Sequence, residues 1–291
     1  MSSYLSQTTG RGHNPSTGFR LILSSFAAFL VLGLVVGVSH QIVLAQNSYR
    51  EIEVKGGGTI SGTVRLVGPG QKPEIMEITK DHSSCGAKKP SPRLEVGKSG
   101  GVSNTVVYIE GMTTGKKIDK SGSFIVNQEK CEYTPHISIV PQGAQLVITN
   151  SDAILHNVHA YDDVRGRQTA FNIAQPIRGQ KTVVKQAALA KCGEQISLTC
   201  DAGHPWMSGY VFSTPHPYYT VTDKDGTFRL DDVPPGKYKL VMWHEGVAVT
   251  NKEMDEAKVK KYSFEESYID AKEVTMTENG KVTVEFELKL R

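Results

Sequence analysis

The chain has 291 residues, of which 38% are hydrophobic and 22% charged, with a formal net charge of +3. That apolar content at so small a net charge excludes a disordered chain, and the length allows one large domain or two ordinary ones. Thirty-three basic residues set against 30 acidic ones argue against a nucleic-acid-binding protein.

The first charged residues are Arg11 and Arg20, and residues 1–45 contain no acid. An apolar run from Leu21 to Val38 follows, and Val43-Leu44-Ala45 precedes Gln46. A basic start, an apolar core and small or aliphatic residues before a cut point read as an export signal over residues 1–45. The alternative is an uncleaved anchor, in which residues 21–38 cross the bilayer. Either reading places the rest of the chain in the periplasm or another extracytoplasmic space. Removal of residues 1–45 takes two arginines, so the net charge falls from +3 to +1. No polyanionic partner is expected of so neutral a chain. An oxidising compartment makes paired cysteines a serious default, and four cysteines suffice for a bridge, a metal site or both.

The remainder reads as strands and turns. Thr59 to Val67 alternates before Gly68-Pro69-Gly70, and Val106 to Ile109 is a short apolar run. Ile137 to Val140, the turn Pro141-Gln142-Gly143 and Leu146 to Ile148 read as strand, turn, strand. Ile196 to Cys200 and Gly209 to Phe212 are further strands, and the punctuation by 28 glycines and 13 prolines predicts an all-β sandwich. A second unit begins near Pro217. Tyr219 to Thr222 and Thr227 to Leu230 flank Asp223-Lys224-Asp225-Gly226, a hairpin signal. Tyr238 to Trp243 and Val282 to Leu288 add strands, so residues 217–291 are expected to form a smaller sandwich. Gly226 to Leu230 echoes Gly62 to Leu66, which hints at a related strand near the N-terminus. The charged stretch 251–272 predicts a solvated loop or one short helix. Asp223-x-Asp225-Gly226 faintly suggests a calcium loop, but no glutamate closes it and a plain turn is expected.

The chemistry is concentrated in Cys200-Asp201-Ala202-Gly203-His204-Pro205-Trp206-Met207 and, upstream, in Asn150 to His159. One thiolate, two imidazoles and a thioether form the ligand set of a mononuclear copper site. His156 and His159 are three apart, so on one strand they face opposite sides; the Leu155-His156-Asn157 context favours His156. Asn157 is a candidate for pinning the loop by hydrogen bonds, and Trp206 for packing beside the site. His159 reads as a surface or supporting residue. Trp243-His244 reads as packing, with the option of covering the neighbouring unit.

Leu155-His156-Asn157-Val158 and His204-Pro205-Trp206-Met207 resemble the cupredoxin family, copper proteins of the plastocyanin and amicyanin kind. The resemblance, carried by roughly residues 100–215, implies a cupredoxin-like Greek-key β-sandwich with an N-terminal β extension over residues 46–216, and one copper ion held by His156, Cys200, His204 and Met207. It also implies one-electron transfer to a partner such as a cytochrome, by transient docking, with an exposed edge of His204 as the exit. Three residues separate Cys200 from His204, where plastocyanins and amicyanins have two. That spacing resembles the second half of the binuclear copper loop of cytochrome oxidase, but the cysteine which that loop needs at position 196 is Ile196 here. Residues 217–291, through Tyr219 to Phe228 and Val233-Pro234-Pro235-Gly236-Lys237-Tyr238, resemble a carboxypeptidase-regulatory-like module, a transthyretin-like sandwich that is accessory and non-catalytic.

Rival readings remain open at this point. Cys200 could bridge Cys192, which would remove the thiolate. With Cys200 a metal ligand, Cys85 and Cys131 are the natural remaining disulfide pair and Cys192 is left odd; with His82 and His136, Cys85 and Cys131 could instead form a zinc-like set. His136 is otherwise expected to anchor a turn near the bridge. Copper storage or delivery, and a metal-free disulfide-bonded envelope or adhesion module, are the other functional classes. No nucleophile–base set supports an enzyme.

Overall fold

The computed structural model describes residues 49–68 and 72–291; the export segment expected over residues 1–45 lies outside them. The long elements among the described residues are strands, and the two helices, His82–Cys85 and Gln186–Ala190, span four and five residues. No described helix is long and apolar enough to cross a membrane.

Period-2 alternation builds the first pair of sheets. In Leu146–Asn150, Leu146 and Ile148 are buried while Val147 and Thr149 are not fully so, because successive strand side chains point to opposite faces. This strand belongs to a four-stranded sheet in the order Lys181–Val183, Leu146–Asn150, Phe124–Glu129, Glu132–Thr134. A five-stranded sheet runs Gln168–Gln175, His156–Asp162, Gln195–Thr199, Ser208–Thr214, Ile137–Pro141. The two share one core, in which Val126, Leu146 and Ile148 meet Val158, Ile196, Leu198 and Val211. The turn after Ile137–Pro141 therefore carries the chain from one sheet to the other instead of closing a hairpin.

The second pair of sheets corrects the expected division at residue 217. Its four-stranded sheet runs Tyr219–Val221, Val106–Ile109, Gly236–His244, Tyr268–Met276, and its three-stranded sheet runs Thr227–Val233, Gly58–Val67, Lys281–Lys289. Gly58–Val67 is central, parallel to Lys281–Lys289 over nine residue pairs and antiparallel to Thr227–Val233. Thus two strands that precede the first sandwich complete the second. The echo between Gly62 to Leu66 and Gly226 to Leu230 falls on two strands that pair with each other. The Asp223–Gly226 turn joins two sheets rather than a hairpin: the Asp223 carboxylate accepts from the N–H groups of Asp225 and Thr227 and from the Thr227 hydroxyl. Its acceptor oxygens are spent on the turn.

Trp243 joins the sandwiches. Its ring meets Tyr210 and Phe212 edge-on at centroid distances of 5.0 and 4.9 Å. The loop or helix expected over 251–272 is instead a hairpin, Val249–Asp255 with Lys258–Phe264, followed by the start of Tyr268–Met276. Dense Lys and Glu residues hid its alternation. Its inner residues Val249, Val259, Tyr262 and Phe264 pack on the first core.

Candidate metal centre

The strand His156–Asp162 opens on His156, and Cys200 follows the end of Gln195–Thr199; residues 200–207 then loop to Ser208–Thr214. These three strands are adjacent, with His159 opposite Thr199 and Thr199 opposite Ser208. The sheet register therefore brings His156 to the loop. The Nδ1 atoms of His156 and His204 lie 3.2 Å apart, the Cys200 Sγ is 3.5 Å from the His204 Nδ1, and the candidate ligand atoms of all three residues fall within 4.8 Å of one another. Both histidines are 0% exposed and Cys200 is 5%. Met207 is 1% exposed, shares the core cluster with Cys200, and is fixed by its N–H donating to the His204 carbonyl at 3.0 Å.

The supporting contacts are specific. The Asn157 N–H donates to the Cys200 Sγ at 3.4 Å. The Asn157 side-chain oxygen accepts the Asp201 N–H at 3.2 Å and its amide nitrogen donates to Asn172 at 2.5 Å, so Asn157 ties the ligand loop to its strand. Tyr133 donates from its hydroxyl to the Asn157 carbonyl at 2.7 Å. Trp206 is buried with its ring 5.2 Å from that of His204. His159 points elsewhere: it bonds Asp201 and Thr169 and stacks on Tyr161.

Two residues escaped the sequence reading. The Asp152 carboxylate holds the outer nitrogen of His156 at 2.8 Å, and the Asp81 carboxylate holds that of His204 at 2.8 Å. Asp152 stands four residues before His156, a signal that could have been used. Asp81 lies 123 residues before His204 and carries no local signal. Asp81 corrects one expectation outright: the outer edge of His204 is not exposed but bonded and buried.

Charge states follow from these surroundings. Burial pushes the Cys200 thiol upward, opposed by the N–H groups of Ala202 and Asn157. Burial pushes His204 below its ordinary value, with Asp81 pulling it back. A neutral imidazole whose Nε2–H is donated to a carboxylate presents a bare Nδ1 lone pair. Where both rings hold that form, the two Nδ1 lone pairs face each other and the thiol sulfur, a repulsion that a cation between them would relieve. Metal–nitrogen bonds of about 2.0 Å place two nitrogens about 3.3 Å apart at a tetrahedral angle, so this donor set fits one metal ion.

The other cysteines are resolved. Cys85 and Cys131 form a disulfide, which removes them from the zinc-like set. Cys192 and Cys200 are both free thiols, and Cys192 donates to the Ala188 carbonyl. His136 does not anchor a turn near the bridge; it is buried against Glu245. A cleft of about 890 Å3 runs along the loop, lined by Cys200, Met207 and Tyr161 and by Tyr262 and Phe264 of the hairpin.

Comparison with known proteins gives short matches. The family model of polysaccharide lyase family 4, domain II, matches residues 201–263. No curated protein is similar to the chain at a significant level. Among solved structures, a copper-containing nitrite reductase from Thermus scotoductus is 18% identical over 35% of this chain and 24% of its own, with a TM-score of 0.28. The chain thus spans about a quarter of that enzyme. Amicyanin from Paracoccus versutus is 18% identical over 32% of this chain and 83% of its own, with a TM-score of 0.27. A purple cupredoxin from Nitrosopumilus maritimus is 19% identical over 32% of this chain and all of its own, again at 0.27. What the centre can hold is set by its own side chains. Over residues 124–214 those side chains sit in an all-β sandwich of two sheets, in which the histidine opening one strand meets the loop between two others.

Proposed function

We propose that the protein is an exported, cupredoxin-like copper protein that carries single electrons. His156, Cys200 and His204 would hold one ion, with Met207 as a further soft donor. The observation that carries this reading is the convergence of two Nδ1 atoms and one free thiol within 4.8 Å in a fully buried pocket. A soft thiolate suits Cu(I) and imidazoles suit both oxidation states; a bound copper supplies one-electron chemistry. The protein supplies rigidity: Asn157, Tyr133 and the sheet register fix the donors, which keeps reorganisation on electron transfer small. The sandwich that includes residues 217–291 would serve as an accessory, carboxypeptidase-regulatory-like module, and the whole as a non-enzyme of the periplasm. The Cys85–Cys131 bridge supports an oxidising compartment.

One observation favours a second reading, copper storage or delivery. The edge of His204 that would face a redox partner is closed by Asp81. An electron would then leave on the side of Cys200 and Met207, which line the cleft, towards a transiently docked partner such as a cytochrome. Copper added to the purified mature protein should give an intense thiolate-to-copper band that Cys200→Ser abolishes. Absence of the band in the wild type, with no copper retained by elemental analysis after loading with either Cu(I) or Cu(II), sinks both copper readings. Stopped-flow mixing with a reduced cytochrome separates them: fast reoxidation of the cytochrome supports the carrier, and copper binding without it supports storage.

A further inference from the structure

Each ligand imidazole is gripped from behind by a different carboxylate: Asp81 stands four residues before Cys85, and Asp152 accepts from the N–H of Cys131, the other half of the disulfide. Asp81 sits in the left-handed region, φ 52, immediately before the helix His82–Cys85, and its carbonyl accepts from the N–H groups of Ser84 and Cys85. Aspartate tolerates that conformation, and the turn fixes where its side chain points. The neighbouring Lys80 donates to the carbonyl of Ala202, inside the ligand loop, at 2.7 Å. On the other side, Lys130 and Cys131 are the two turn residues between Phe124–Glu129 and Glu132–Thr134, and both have positive φ, 52 and 58. Two consecutive left-handed non-glycine residues cost energy. Their N–H groups both point at Asp152, at 2.8 Å each, which offsets that cost and leaves Asp152 Oδ2 on the His156 Nε2. Cys131 of this turn is bonded to Cys85, four residues after Asp81.

Resting on the copper reading above, we propose that Asp81 and Asp152 are paired positioning residues, a carboxylate clamp braced by the Cys85–Cys131 bridge. The clamp keeps the proton of each imidazole on Nε2, so that both Nδ1 lone pairs face Cys200. It also places negative charge behind both ligands, which raises their basicity and favours Cu(II) over Cu(I). Among the described residues, His156 and His204 have no other side-chain acceptor on Nε2.

Two measurements test the clamp. In metal-free wild-type protein, long-range proton–nitrogen spectra should show a protonated Nε2 on both His156 and His204. Asp81→Ala should blur that assignment for His204 alone, and Asp152→Ala for His156 alone. An Nδ1–H tautomer in the wild type, or no change in either variant, overturns the clamp whether or not copper binds. In copper-loaded protein, Asp81→Asn and Asp152→Asn keep a hydrogen-bond acceptor of the same shape and remove the charge. Each should weaken Cu(II) relative to Cu(I) by about tenfold, a rise of about 59 mV in reduction potential. Asp201→Asn, which neutralises a carboxylate beside Cys200 that bonds no ligand imidazole, should shift the potential less. Unchanged potentials in the first two variants, or an equal shift in all three, overturn the clamp while leaving the copper site itself standing. Failure of the wild type to bind copper removes the copper reading and its clamp together.

Discussion

Glu245 is the sharpest point at which to perturb the junction between the sandwiches. It follows the strand Gly236–His244 of the second sandwich, and it is buried. Its carboxylate pairs with Arg93 at 2.7 Å and with His136, the residue before the first-sandwich strand Ile137–Pro141. Burial alone would raise its pKa, but Arg93 and His136 overcome that and hold it down at about 2. The gap from the ordinary 4.5 corresponds to about 3 kcal/mol of stability. Because the folded value lies below the ordinary one, that contribution is complete above pH 4.5 and vanishes as the pH falls towards 2. Glu245→Gln leaves Arg93 buried without its counter-charge, so a loss of about 3 kcal/mol is expected at pH 7, or a fall in Tm of about 6–12 °C. The effect should reach the cleft, because Arg93 also lies 3.5 Å over the Phe264 ring of the hairpin. Thermal unfolding of both proteins from pH 7 to pH 3 is the assay. The two curves should converge as the pH falls; parallel curves, or equal Tm at pH 7, refute the reasoning.

Two further predictions concern the surroundings of the centre. Cys85→Ala with Cys131→Ala opens a loop of 46 residues in sequence separation, which should cost about 4 kcal/mol by chain entropy; a denaturant midpoint that hardly moves would count against the bridge as a brace. Tyr133→Phe removes the buried hydroxyl that donates to the Asn157 carbonyl and should cost about 1–2 kcal/mol, read from urea unfolding, while a neutral result would mean that carbonyl is satisfied elsewhere.

The period-2 runs made the all-β class legible, because alternation is a local property of Leu146 to Ile148 or Val282 to Leu288. The cluster of Cys200, His204 and Met207 was legible for the same reason: eight residues of chain hold three donor types. What escaped was long-range. Nothing in Thr59 to Val67 says that this strand passes over the whole first sandwich in sequence to pair with Lys281–Lys289. Nothing in the Asp223–Gly226 turn says that its arms go to different sheets, since its hydrogen bonds are those of any tight turn. The Lys/Glu-rich hairpin 249–264 was misread because charge on its outer face outweighed the thin signal of Val259, Tyr262 and Phe264. Asp81 was invisible because its role exists only once the 78–86 segment has been laid across a loop more than a hundred residues away.

That segment also gives a physical meaning to the loop spacing. Three residues stand between Cys200 and His204, and two of them form the seat on which the segment rests. The Ala202 carbonyl accepts from Lys80. Gly203 adopts φ +87, and a side chain built there would meet the Lys80 stem at 3.2 Å. A loop one residue shorter would lose a carbonyl or a glycine from that seat, and with it the anchor that sets Asp81 behind His204. Spacing and cover are therefore coupled: the longer loop makes room for a carboxylate where a shorter one would leave the imidazole edge open to solvent. Gly203→Ala tests the coupling, because both the positive φ and the Lys80 contact oppose a side chain. Stability should fall by about 1 kcal/mol or more, and the Nε2 proton of His204 should exchange faster with water while that of His156 is unchanged. Equal exchange at both histidines would show that the seat and the carboxylate act independently.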